Sequence, residues 1–224
     1  MDWQAISLSV RLAACTTLVL VALGIPLAWW LATTRWRWRF LLEAVVALPL
    51  VLPPTVLGFY VLMAVGPHSP VGRFYEALFG QRLPFSFEGL LVASVLYSLP
   101  FAVQPFLSAF ATVDRRMIEA SWCLGVSPVS TFRRVVLPLA WPGVLAGIVL
   151  SFAHTMGEFG VVLMVGGNVP GETRTISVSI YDEVQALNYT AANHTALLML
   201  LFSFFVLSLT YALQRRFTHV WPPR

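Results

Sequence analysis

Five stretches of this chain are too long and too apolar to be buried by a protein of 224 residues in water. A membrane span needs about 20 mostly apolar residues to cross roughly 30 Å of hydrocarbon. The first stretch runs from about Leu12 to Thr33, the second from about Phe40 to Val65, and the third from about Leu90 to Thr112. The fourth runs from Leu139 to about Val165, and the fifth, from His194 to Leu213, is the cleanest. The chain is 58% hydrophobic and only 11% charged, against about 25% charged in a soluble domain. Lipid offers the backbone no hydrogen bonds, so such stretches cross as helices. The expected fold is all-α and integral to the membrane, one domain over residues 1–224 with about five transmembrane helices. Residues 166–193 are too polar for an ordinary span, although part of them can dip back into the protein.

All 14 basic residues are arginine, and lysine is absent. That excludes a Walker A site, which needs the P-loop lysine, and Schiff-base catalysis. Cys15 and Cys123 stand far apart, so neither a disulfide framework nor a zinc site is expected. No nucleophile–base or metal constellation appears. The chain therefore reads as one that is not an enzyme and binds no cofactor.

If the connection after the first span is cytoplasmic, ten arginines lie inside. They are Arg35, Arg37, Arg39, Arg115, Arg116, Arg133, Arg134, Arg215, Arg216 and Arg224. Only Arg11, Arg73, Arg82 and Arg174 fall outside, which obeys the positive-inside rule. The N-terminus is then external and the C-terminus cytoplasmic. Trp29, Trp30, Trp36 and Trp38 mark a membrane interface beside Arg35, Arg37 and Arg39. Interfacial contact with lipid explains this alternation, and nucleic acid is not an expected partner. Met1-Asp2-Trp3-Gln4 lacks the cationic start of a cleavable signal, so the first span reads as retained.

Prolines crowd the spans, most densely in Leu48-Pro-Leu-Val-Leu-Pro-Pro-Thr55. Each interior proline frees a carbonyl that must face protein or a wet path. The readings are static kinks in a packed bundle or kinks around a moving pathway. Between the third and fourth spans lies a connection, residues 113–138, on the arginine-rich side. It reads as a short amphipathic helix, Arg115 to Leu124, stopped by Gly125. A turn at Ser127-Pro128 follows, then a second short helix ending before Pro138. Two short helices under a bundle make a rigid knob for a partner.

Glu119-Ala120-Ser121, Gly125 and Val135-Val-Leu137-Pro138 resemble the EAA loop of ABC importer permeases, with Ser121 in place of alanine and Val135 in place of isoleucine. The resemblance implies the type I importer permease fold and a loop that couples to a separate ATPase. Glu119, Ala120, Ser121, Gly125, Leu137 and Pro138 would make that junction, and the partner ATPase would use ATP and magnesium. Leu48 to Gly58, Gly157-Glu-Phe-Gly160 and Gly167 to Ile176 are similar to the molybdate, sulfate and tungstate branch, with molybdate favoured. Members of this branch sit in the bacterial or archaeal plasma membrane. They pair as two permease copies over two ATPase subunits and take an oxyanion from an external binding protein.

Where related molybdate permeases often carry arginine, this chain has His154. Residues 154 and 158 fall four apart on a helix, which predicts a buried His154–Glu158 pair. Candidate pathway and gate residues are Pro49, Pro53, Pro54, Thr55, His154, Glu158, Gly160 and Asn168. Two readings stay open beside this one, an ATP-independent channel or secondary transporter, and the same machine carrying sulfate or tungstate.

Overall fold

The computed structural model describes residues 2–219, with side chains through Ala212. Arg224 lies outside the described residues, as do the side chains of Arg215 and Arg216. Every regular element among the described residues is helical. Helix α1 (Trp3–Thr33) begins where Asp2 accepts the Ala5 N–H at 2.9 Å. Its start lies nine residues ahead of the expected span, because a good N-cap extends the helix through polar turns that hydropathy ignores. Ala5, Leu8, Leu12, Thr16, Leu20, Gly24, Ala28 and Leu31 form a buried stripe on it. Leu18 and Leu23 on the opposite face are 68% and 63% exposed. A helix apolar all round, half of it bare, is what a lipid-facing span requires.

The second expected span is broken. Helices α2 (Arg39–Val51) and α3 (Pro54–Val65) meet at a bend of 114°. Leu52 and Pro53 are both extended, each at ψ 135°. A residue before proline is pushed out of the helical region, and Pro53-Pro54 applies that constraint twice. Pro54 then occupies the first position of α3, where a missing N–H costs nothing. Helix α4 (Pro70–Phe79) is short and leads to α5 (Phe87–Ala111), the third span.

Helix α6 (Arg115–Cys123) starts at Asp114, whose carboxylate accepts the Arg116 N–H at 2.9 Å. It ends at Gly125, which takes φ 76°, a left-handed conformation open to glycine without strain. The short α7 (Pro128–Thr131) does not stop before Pro138 as expected. It passes through a π-helical turn, Phe132–Val136, into α8 (Leu137–Gly157), so residues 128–157 form one continuous helix. The wider turn is the reason. An α-helical Pro138 would press its ring on the carbonyl four residues back, and the π turn immediately before it opens that spacing.

The fourth expected span is broken too. After α8, Glu158 is extended (φ −60°, ψ 136°), and α9 (Gly160–Gly166) starts in a new direction. The polar stretch that follows folds back as α10 (Ile176–Gln185), with the Ile176 N–H bonded to Ser9 Oγ of α1 at 2.8 Å. Helix α11 (Tyr189–His219) completes the set. Four helices are long and apolar enough to span, and the α2–α3 pair makes a fifth.

The core is the triple packing of α1, α5 and α8. Phe106 of α5 is fully buried between Gly24 of α1 and Gly147 of α8. A Cβ at Gly147 would lie 2.5 Å from the Phe106 ring, and one at Gly143 would lie 2.5 Å from Ala109 Cβ. Small residues at four-residue spacing, Gly143, Gly147, Ser151 and Thr155, let the two backbones approach, the usual device where lipid supplies no hydrophobic drive between helices. Followed along α8, this seam leads to the break at Glu158.

Candidate functional site

The two breaks in the bundle face each other. A Cβ at Gly160 would lie 2.9 Å from Pro54 Cβ and 3.7 Å from the Thr55 nitrogen, so the start of α9 rests against the start of α3. Beside this contact opens a cavity of about 600 Å3. Its walls include Pro54, Thr55, Tyr97, His154, Glu158 and Gly160. Five expected pathway residues thus converge on one space, drawn from three helices and the break at Glu158.

Glu158 is the anchor of this arrangement. Its side chain is wholly buried. Ser94 Oγ donates to Oε2 and Ser98 Oγ to Oε1, each at 2.6 Å. His154 Nδ1 lies 3.5 Å from Oε1 and 2.9 Å from Ser98 Oγ. The expected pair forms, although residue 158 has already left the helix. Glycines at 157 and 160 weaken the helix there, and the carboxylate finds its donors on α5. Thr155 Oγ1 lies 2.9 Å from Ser98 Oγ and donates to the Ser151 carbonyl at 2.9 Å, which closes the network. The His154 ring is stacked on Phe101 at 3.7 Å between centroids, with Tyr97 at 4.8 Å.

Sequence reasoning missed Ser94, Ser98, Tyr97 and Phe101. The serines carried a readable signal, two small hydroxyls four residues apart in an otherwise apolar span that also holds prolines. The other expected pathway residues lie elsewhere. Pro49 is buried within α2, and Pro53 is exposed at the break without lining the cavity. Asn168 belongs to a separate cluster near the start of α1. There Arg174 Nε donates to Asn168 Oδ1 at 2.6 Å, and Asn168 Nδ2 bonds to Asp182. Arg174 also reaches Asp182 and Asp2 at 3.5 and 3.9 Å. These contacts clamp the polar hairpin to α1 and α10, and they hold Asn168 away from the cavity.

A second site lies at the end of the bundle that carries α6 and α7. Ile118 and Ser121 face inward, and Ser121 Oγ meets Thr131 Oγ1 at 2.9 Å in a buried contact. Ser121 therefore braces α6 against α7. Glu119 and Ala120 are exposed, and Arg115 lies 3.4 Å from Glu119 as an exposed pair. Leu124 is 82% and Val129 70% exposed beside them. Gly125 sits at the turn between, Leu137 is half-buried and Pro138 is exposed at the base of α8. The four aromatics of the first turn separate. Trp30, Trp36 and Trp38 are exposed, whereas Trp29 packs on Phe110 and Phe132 at 5.7 and 5.4 Å. Trp29, half-buried, thus ties α1 to α5 and the π turn.

Residues 24–219 match the family model of the binding-protein-dependent transport system inner membrane component. The chain is 53% identical over 214 residues to the molybdenum transport system permease protein ModB of Azotobacter vinelandii, covering 96% of this chain and 95% of that one. It is 36% identical over 185 residues to the ModB protein of Haemophilus influenzae, covering 83% and 81%. In three dimensions it is similar to a bacterial ABC transporter that imports the acidic polysaccharide alginate, with a TM-score of 0.77, 18% identity, and coverage of 96% of this chain and 79% of the other. At that identity the likeness speaks for the fold alone, and the fold is that of an importer permease. The chain belongs to the family of inner membrane components of binding-protein-dependent transport systems.

Proposed function

We propose that this chain is the membrane-spanning subunit of an ATP-driven oxyanion importer, and that its substrate is molybdate. A single observation carries the mechanism. The exposed face of α6 and α7 is joined through the π turn to α8, and α8 ends at the break that lines the cavity. Residues 128–157 are one helix of 30 residues, about 45 Å at 1.5 Å per residue. Force applied to α7 at one end of the molecule has a continuous helical path to Gly157 and Glu158.

In this reading a separate ATPase binds ATP with magnesium and grips Glu119, Ala120, Leu124 and Val129. Closure of the ATPase pair tilts α8, which moves the Glu158 break against Pro54. An external binding protein delivers the anion to the opposite side, and two copies of this chain frame the path. The loop of α6 and α7 faces the cytoplasm, where the ten-to-four arginine asymmetry places it, with the N-terminus outside. The 53% identity to a molybdenum permease supports molybdate over sulfate or tungstate.

The test is uptake of molybdate into liposomes that hold the chain with its ATPase and binding protein. Uptake is expected to require ATP and both partners, with sulfate a poor competitor. Uptake by the purified chain alone, without ATP, would establish a channel or secondary transporter instead.

A further inference from the structure

The hydrogen-bond count around Glu158 bears on what the cavity wall can bind. The Ser98 hydroxyl has one hydrogen, and it goes to Glu158 Oε1 at 2.6 Å. Ser98 Oγ therefore accepts from His154, 2.9 Å away, and Nδ1 carries a hydrogen. One ring face is covered by Phe101 and Tyr97 packs against the ring. His154 is on the cavity wall, and Nε2 is the ring nitrogen without a hydrogen-bond partner among the described residues. With Nδ1–H fixed, a neutral ring presents a lone pair there and repels an anion. A protonated ring presents an N–H and a positive charge. Glu158 is on the same wall, with its two oxygens held by the Ser94 and Ser98 hydroxyls.

The rest of the wall fits the same ligand. No arginine lines the cavity, so His154 is the basic side chain on its wall. The α3 N-terminus opens there at Pro54 and Thr55 and adds the positive end of a 12-residue helix. Tyr97 and Thr55, which carry hydroxyls, also line the cavity. We propose that His154, as the imidazolium, is the contact that a tetrahedral oxyanion meets in this cavity, with Nε2–H donating to an anion oxygen. The proposal rests on the importer reading above and assigns that reading its cationic residue.

The test compares His154→Gln and His154→Arg in the full complex, reconstituted with ATPase and binding protein. Molybdate uptake and binding-protein-stimulated ATP hydrolysis are both read. Gln keeps the size but has no charge, and uptake is expected to fall at least about tenfold, the loss carried by one hydrogen bond to a charged group. Arg is always charged and stacks well on aromatic rings, so it is expected to stay within about threefold of wild type. Wild-type uptake by His154→Gln overturns the proposal. Equal loss in both variants, together with a lower melting temperature, assigns His154 to the fold and overturns it too. Absence of uptake in the wild-type complex refutes the importer reading itself, and this proposal with it.

Discussion

Replacing Glu158 by alanine removes the one carboxylate that two helices share in the middle of the bundle. Its oxygens accept two hydroxyl hydrogen bonds at 2.6 Å, both from α5, and the side chain is wholly buried. Polar contacts between membrane helices contribute about 0.6 kcal/mol on average and rarely exceed about 1.7. Hydrogen bonds to charged groups lie higher, at about 1.5–3 kcal/mol in soluble proteins. Taking about 1.5 kcal/mol for each of the two bonds, where these ranges meet, predicts a loss of about 3 kcal/mol. For a chain of this size that corresponds to a melting shift of roughly 6–12 °C. Thermal unfolding of the purified chain in detergent, followed by tryptophan fluorescence, measures it. Glu119→Ala is the control, since its exposed pair with Arg115 at 3.4 Å is worth under about 1 kcal/mol. Equal melting temperatures for Glu158→Ala and Glu119→Ala would refute the claim that this carboxylate locks α8 to α5.

Gly147→Ala places a Cβ 2.5 Å from the fully buried Phe106 ring, and a loss of about 1–3 kcal/mol is expected. Gly157→Ala, where the same Cβ meets nothing within 4 Å, should melt within about 2 °C of wild type, and the two can be compared in one melting series. Glu119→Arg reverses a charge at the exposed face of α6 without touching the core, so its melting temperature should stay unchanged while the ATPase no longer co-purifies.

The spans were legible because hydrophobicity is a sum over many residues and tolerates local error. The breaks were legible only in part. Pro53-Pro54 announces one, because a double proline forbids helix at the residue before it. The break at Glu158 lies in a sequence of ordinary helix formers flanked by glycines, and its carboxylate is held by two serines 64 and 60 residues away on another helix. Such a contact leaves no local trace. Ser121 shows the same limit, since its place in the loop was readable but its inward partner Thr131 was not. The continuation of α7 into α8 is not legible because proline ordinarily stops a helix, whereas here a π turn accommodates it. The contacts of Asn168 with Arg174 and Asp182 were not legible for a related reason, since spacing alone does not show them as a cluster.

The central claim is that α7, the π turn and α8 move as one rigid piece from the ATPase face to the cavity. Replacing Arg133 and Arg134 together by glycine softens that piece within the π turn while leaving Glu119, Leu124 and Val129 in place. The measurement is molybdate imported per ATP hydrolysed in reconstituted liposomes, alongside ATPase co-purification. The account predicts that the ATPase still binds and hydrolyses ATP while uptake per ATP falls severalfold. An unchanged ratio, with binding intact, would contradict it.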